Sequence, residues 1–312
     1  MIRIGVVNID TSHPLAFSEI LMKEKRARVV GVYNDGFRGD DEVELFISKF
    51  GLEKRCSGVE ELAEIVDIGF IQGCNWNTHL DHVGAFFDRN KPVFIDKPIA
   101  GNIADCSKML DYVKQGKVIL GSSSLRYADE ICNFVYRPIE DRGEIINVFG
   151  TCGMDEFNYG IHVVEAIGGF LGTGAQKAVY TGKGEVAGNI CETYTISFAC
   201  GTTATYHTLQ GGWLPCHFLI TTTTDVHYVP VDISKVYIPL LDRICDYMET
   251  GKNTLADIDS LIESIKIMLA ARLSRENNGG EVALDDIPIN DPGFDGAAFS
   301  REYAANAKKI YL

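Results

Sequence analysis

A chain of 312 residues with 46% hydrophobic side chains and a mean hydropathy of +0.02 can build one large core or two medium ones, which excludes a disordered polymer. Its net charge of −14 opposes association with polyanions, and no basic cluster is longer than Lys23 to Arg28, so nucleic acid is not an expected partner. The nine cysteines are scattered and never spaced C-x-x-C, which suits packed thiols in a reducing compartment better than a disulfide framework.

From Ile2 to about Leu120, β-branched runs alternate with amphipathic helix-length segments, the pattern of βαβ units on a parallel sheet. Strands are predicted at Ile2 to Val7, Arg28 to Tyr33, Ile68 to Gln72, Pro92 to Ile95 and Val118 to Leu120. Helices are predicted near Pro14 to Glu24, Glu42 to Phe50, Val59 to Ile65, Thr78 to Arg89 and Ile103 to Gln115. No uncharged run of about 20 strongly apolar residues follows, and Met1 leads directly into the first strand without a signal-peptide pattern. A soluble, cytoplasmic protein with no membrane partner is the expectation.

After about Ser122 the pattern changes to consecutive strands at Ile145 to Phe149, Thr193 to Cys200, Thr202 to Leu209, Phe218 to Thr223 and Val226 to Val231. This predicts a mainly antiparallel sheet in a second domain. Helices are predicted at Ile238 to Thr250, Ile258 to Arg275 and Ala297 to Ile310. The expected division is 1–121, a dinucleotide-binding Rossmann domain, and 122–312, a substrate and oligomerisation domain. From Thr193 to Thr224 there is no Asp, Glu, Lys or Arg. A sheet without charge on either face is expected to be covered on both, by its own helices and by a second copy of the chain.

The first strand-to-helix turn reads Gly5-Val-Val-Asn8-Ile-Asp10-Thr11-Ser12-His13-Pro14. Asn8, Asp10 and His13 stand where a dinucleotide fingerprint has its three glycines, which normally let pyrophosphate approach a helix N-terminus. Asp10 is read as capping the helix that Pro14 helps start, leaving Thr11, Ser12 and His13 to meet phosphate. The alternative, a carboxylate facing a phosphate oxygen at about 5 Å, would cost roughly 3 kcal/mol. The second strand ends in Asn34-Asp35, where an acid that binds the ribose hydroxyls is expected. Such an acid favours NAD over NADP, although Arg38 nearby keeps NADP possible.

Two later segments carry the chemistry. Cys74-Asn75-Trp76-Asn77-Thr78-His79 follows the predicted strand Ile68 to Gln72, and Asp96-Lys97-Pro98 closes the next one. Together they resemble the Thr-Pro-x-x-x-His and Glu-Lys-Pro segments of the Gfo/Idh/MocA family of nicotinamide-dependent oxidoreductases. Arg126-Tyr127 and Asn158-Tyr159-Gly-Ile-His162-Val-Val-Glu165 resemble the family's Asn-x-Arg-Phe/Tyr and Asp-x-Gly-x-His-x-x-Asp segments, and Tyr237 to Asp286 continues the likeness.

The resemblance implies an α/β Rossmann domain followed by an α+β domain with an open, mainly antiparallel sheet. It also implies an NAD(P)-dependent oxidoreductase acting on a secondary alcohol of a sugar, inositol, sugar acid or related polyol. By position, Lys97 and His162 are the catalytic pair; a histidine titrates near neutrality, and a desolvated lysine can be brought toward the working range. Asn8, Asp10, Thr11, Ser12, His13, Asn34, Asp35, Asn75, His79, Asp96 and Lys97 fall to the cofactor, and Lys97, Arg126, Asn158, Tyr159 and His162 to the substrate. Asn158 stands where the family often has Asp and cannot accept a proton at neutral pH. The pairs His79/His82 and His162/Glu165 lack an evident third ligand, so no metal is expected. Two other readings remain open: a redox-assisted glycosidase that retains its NAD, and a binding or regulatory protein without turnover.

Overall fold

The computed structural model describes residues 1–308 and 310, divided into two compact units. Unit 1 comprises Met1–Ser122, Leu241–Ile258 and Phe294–Leu312; unit 2 comprises Ser123–Leu240 and Asp259–Gly293.

In unit 1, β1 (Ile2–Val7), α1 (His13–Glu24), β2 (Ala27–Tyr33), α2 (Asp40–Phe50), β3 (Lys54–Arg55), α3 (Val59–Ile65), β4 (Ile68–Ile71), α4 (His79–Asp88), β5 (Val93–Asp96), α5 (Ile103–Lys114) and β6 (Ile119–Ser122) alternate along the chain. The sheet order is β3-β2-β1-β4-β5-β6, with every pair parallel. That is the doubly wound order, whose crevice opens where β1 and β4 part to opposite sides. β4 and β5 are buried at every position, as strands covered on both faces must be. Phe17 of α1 packs on Phe70 and Phe94 at centroid distances of 6.4 and 6.1 Å. Arg26, just before β2, pairs with Asp242, Asp246 and Glu249 of a later segment of the same unit.

Unit 2 contains α6 (Asp129–Val135), α7 (Ile139–Arg142), β7 (Ile145–Met154), α8 (Gly160–Leu171), β8 (Ala175–Val186), β9 (Asn189–Phe198), β10 (Thr203–Gln210), β11 (His217–Thr222) and β12 (Val226–Pro230). α9 (Tyr237–Thr250) passes from unit 2 into unit 1. α10 (Ile258–Glu276) and β13 (Val282–Ala283) complete unit 2, and α11 (Gly296–Asn306) lies in unit 1. The second sheet runs β12-β11-β7-β10-β9-β8-β13. β7 and β10 pair in parallel and the other pairs are antiparallel, so the sheet is mixed and mostly antiparallel. β8 has no counterpart among the predicted strands: Ala175–Val186 carries Lys177, Lys183 and Glu185 and three positions of Gly or Thr, which hide its alternation.

The uncharged stretch has two unlike faces. Tyr194, Ile196, Ala204, Tyr206 and Ile220 are fully buried beneath helices of the same unit; Tyr206 Oη donates to Met268 Sδ of α10 at 3.8 Å. The intervening Thr193, Thr195, Thr203, Thr205 and His207 are only partly covered, and Leu219 is 43% exposed. Within one chain, then, helices cover one face and the other remains open. No helix among the described residues is long and apolar enough to cross a membrane.

Candidate functional site

The β1–α1 loop makes a left-handed turn without glycine. Asn8 takes the left-handed conformation (φ +67°), which asparagine tolerates better than most side chains. Its Oδ1 accepts from the amides of Asp35 and Gly36 at 2.8 and 3.0 Å, pinning the end of β2 to the end of β1. Asn34 returns the tie: its Oδ1 accepts from Ile9 N at 3.1 Å, and its Nδ2 donates to Arg38 O at 3.1 Å.

Asp10 does not cap α1, contrary to the sequence expectation. The N-cap position is Ser12, which makes no side-chain capping bond, and Thr11 Oγ1 accepts from His13 N at 3.2 Å. Asp10 is instead 2% exposed, its Oδ1 accepting from Phe37 N at 3.2 Å and its Oδ2 from Cys74 N at 3.0 Å. Burial raises its pKa, and the two amides only partly offset that. Gly36 makes this possible, because a Cβ there would lie 2.1 Å from Asp10 Oδ1.

Arg38 is also committed elsewhere than the sequence suggests. It is buried, with Nε and Nη2 on Asp10 O at 3.0 and 2.9 Å and Nη1 on Glu42 and Lys308 O at 2.8 and 2.9 Å. Its guanidinium therefore braces the loop rather than waiting for a 2′-phosphate. Asp35 has a different character. His82 Nε2 lies 3.0 Å from its Oδ2, and that hydrogen bond leads in holding the carboxyl down to about 2. Asn8, Asp10, Asp35, Phe37, Asn75 and Thr78 contribute to the wall of a cavity of about 310 Å³ in unit 1.

His13 and Asp96 meet on another side of the sheet's end: His13 Nδ1 lies 2.7 Å from Asp96 Oδ2, and the imidazole stacks on Phe17. The other carboxylate oxygen accepts from Lys97 N at 2.8 Å. Burial raises the Asp96 pKa, but His13 and Lys97 outweigh it and the net direction is down. His79, 1% exposed, lies between Gly73 O at 2.9 Å (from Nε2) and Ile99 O at 3.2 Å (from Nδ1). Burial lowers its pKa, and a neutral ring donates to only one of those carbonyls. It fixes the loop after β4. Asn75 Oδ1 accepts from Asn77 N at 3.2 Å, starting the short 3₁₀ turn that leads to His79.

In unit 2, His162 on the first turn of α8 lies with Nδ1 2.7 Å from Ser123 Oγ and its ring edge-on to Tyr159 at 5.9 Å. Asp155 accepts from Tyr159 N at 3.0 Å and from Asn158 Nδ2 at 3.4 Å, ordering the turn that presents these residues. Tyr159 and His162 share the wall of a cavity of about 170 Å³ with Ser124, Leu125, Trp213, Leu214, Cys216, Ile233, Val236 and Tyr237. That wall has no Asp, Glu, Lys or Arg. Arg126 is not in it: Nε holds Glu165 Oε2 at 2.6 Å, with Ser260 and Ser264 on the other nitrogens, all in the interior of unit 2. Among the described residues no three His, Cys, Asp or Glu side chains gather as a metal site would require.

The sequence patterns do not single out Phe37, Ser123, Trp213, Tyr237 or Ser300. Ser123 stands beside a recognisable segment and Tyr237 opens one, whereas Trp213 and Ser300 reach their cavities only through tertiary folding. Residues 2–123 match the Gfo/Idh/MocA model, described as an oxidoreductase family with an NAD-binding Rossmann fold. The chain is 33% identical over 82 residues to a myo-inositol 2-dehydrogenase of Thermotoga maritima, a stretch covering 26% of this chain and 25% of that one. Solved structures extend the likeness in fold. A probable dehydrogenase from Thermotoga maritima superposes with a TM-score of 0.80 at 15% identity, over 92% of this chain and 100% of that one. The scyllo-inositol dehydrogenase of Lactobacillus casei with bound NAD(H) and scyllo-inositol gives 0.77 at 14%, over 92% and 100%. The myo-inositol dehydrogenase of the same organism, in complex with NAD(H) and myo-inositol, gives 0.76 at 16%, over 94% and 98%.

Proposed function

The N-terminal domain of this chain belongs to the Gfo/Idh/MocA oxidoreductases with their NAD-binding Rossmann fold, and on that premise we propose that the protein is an NAD-dependent dehydrogenase oxidising a secondary alcohol of an uncharged polyol or sugar. The observation that carries this reading is an ionised Asp35 in the wall of a cavity shared with Asn8 and Asp10 of the β1–α1 loop, the loop that leads into an α1 N-terminus whose N-cap side chain makes no capping bond. Backbone amides at a helix N-terminus suit the pyrophosphate, and an ionised acid at the end of β2 suits the ribose hydroxyls while repelling a 2′-phosphate. Asp10 does not oppose the pyrophosphate in this reading, because both its oxygens face protein amides.

When bound, the nicotinamide ring supplies the hydride acceptor. Lys97, following Asp96 at the end of β5, is assigned to the substrate hydroxyl, and the Asp96–Lys97 amide contact fixes where its backbone starts. His162 is assigned as the proton acceptor, its ring oriented through Nδ1 by Ser123, an imidazole being a side chain fitted to general base work. Tyr159 flanks it. Arg126 and Asn158 serve in our reading to hold these elements in place. The uncharged wall around His162 favours neutral polyols over sugar acids, and the Trp213–Leu214 side suits a substrate with one apolar face.

The open face of the second sheet, with Leu219 and Tyr228 exposed at 43% and 60%, is assigned to self-association. A sedimentation experiment at micromolar concentration finding only monomer refutes that part. The activity is tested by calorimetric titration with NAD and NADP, followed by a panel of inositols, aldoses and sugar acids with NAD reduction followed by absorbance. No binding of either dinucleotide at millimolar concentration ends the dehydrogenase reading.

A further inference from the structure

A segment from far along the chain packs against the loops after β2 and β4 of unit 1. α11 and its lead-in are bonded to both loops that frame the 310 Å³ cavity. On the loop after β4, Trp76 Nε1 donates to Phe294 O at 2.7 Å, Gly296 N donates to Asn77 Oδ1 at 3.2 Å, and the indole packs on Phe299 at 5.0 Å. Cys74 Sγ donates to Ser300 Oγ at 3.4 Å. On the loop after β2, Phe37 packs against Tyr303 at 6.0 Å, and Arg38 Nη1 reaches Lys308 O. The approach is close enough to need a glycine, since a Cβ at Gly296 would lie 2.8 Å from Asn75 Oδ1 and from Trp76 N.

Ser300 is where this segment enters the cavity. It lines the same space as Asp35, Phe37, Asn75 and Thr78. Its oxygen already accepts from the Cys74 thiol, so its own hydroxyl proton is the one to offer to a ligand. Asp35, the acid assigned to the ribose, lines that same space, so a nucleoside held there has Ser300 in the wall around it.

We infer that α11 completes the adenosine half of the cofactor site and that Ser300 contacts the cofactor. The inference rests on the NAD-binding reading of unit 1. It assigns a binding role to residues far outside the stretch 2–123 matched by the family model, and it makes adenosine affinity depend on the C-terminal segment.

The test is calorimetric titration of the full chain and two variants with AMP, NAD and nicotinamide mononucleotide. Ser300→Phe fills the cavity and should weaken AMP and NAD by tenfold or more, while nicotinamide mononucleotide binds as to the wild type. Ser300→Ala keeps the packing and should weaken AMP and NAD by about two- to tenfold, the worth of one hydrogen bond. A melting temperature close to wild type for Ser300→Ala shows that the loss is one of contact. AMP and NAD binding both variants as tightly as wild type overturns the inference and leaves the cofactor reading standing. A wild type that binds neither AMP nor NAD takes down the cofactor reading and this inference together.

Discussion

His13 Nδ1 and Asp96 Oδ2 stand 2.7 Å apart, joining the first turn of α1 to the last residue of β5. The Asp96 carboxyl titrates below its usual range although burial pushes it up, because His13 and Lys97 pull it down further. A carboxyl whose folded pKa lies below the unfolded value of about 3.9 adds stability above that value, and the contribution is lost as pH falls through the folded one. In His13→Gln, burial should dominate and lift the carboxyl above its unfolded value, so the variant should be less stable than wild type at neutral pH and close on it as pH falls. Urea unfolding measured between neutral pH and the acid limit reads this out, and superimposable profiles for the two proteins would refute it.

Asp10 gives the opposite sign. Burial raises its pKa despite the amides of Cys74 and Phe37, so whatever stability its protonation lends is present at low pH and disappears as pH rises through the folded value. Asp10→Ala strands the buried Cys74 amide and the half-buried Phe37 amide and should cost about 2 to 4 kcal/mol, from an unsatisfied-donor penalty of about 1 to 3 each. Loss of less than about 1 kcal/mol in chemical denaturation, the cost of a missing helix cap, would return Asp10 to the role the sequence suggests.

Cofactor choice should turn on Asp35. Held down to about 2 by His82 ahead of its other contacts, the carboxylate is ionised throughout the working range. NAD should bind at least tenfold more tightly than NADP, and Asp35→Ala should narrow the ratio chiefly by weakening NAD. A wild type that prefers NADP would place the 2′-phosphate beside an acid and sink this account.

Turnover should depend on Lys97 and His162 in different ways. Lys97→Ala should lower kcat by about two to four decades with NAD affinity within a few-fold of wild type. His162→Ala should impair oxidation of the alcohol most and flatten the pH profile of kcat/KM where the wild type titrates. Normal turnover in the lysine variant, or an unchanged profile in the histidine variant, removes that residue from the chemistry.

The sequence makes the frame of unit 1 legible because alternating apolar runs and helix-length segments report one local property, the burial of a parallel strand on both faces. Its mixed second sheet is legible in outline for the same reason, apart from β8, whose charged outward positions and glycines mask the period. Loop chemistry is harder to read. Asp10 looks like a helix cap because capping depends on neighbours in sequence, yet its partners are Phe37 and Cys74, brought to it by the fold. Arg38 looks like a phosphate ligand for the same reason, and Ser300 carries no local signal at all. Residues whose partners lie one turn away can be placed from the sequence; those whose partners lie on another strand's loop need the coordinates.

The interrupted course of unit 1 has a consequence for how the protein is made. Leu241–Ile258 and Phe294–Leu312 follow most of unit 2 in chain order but belong to unit 1, so residues 1–122 leave the ribosome without Asp242, Asp246 and Glu249 for Arg26 and without Phe299 for Trp76. Domains commonly fold as units and N-terminal first during synthesis; here the first unit begun is the last to be finished. A nascent chain stalled before Gly296 would hold the loops after β2 and β4 without Tyr303 against Phe37 and without Phe299 against Trp76, on an otherwise formed sheet.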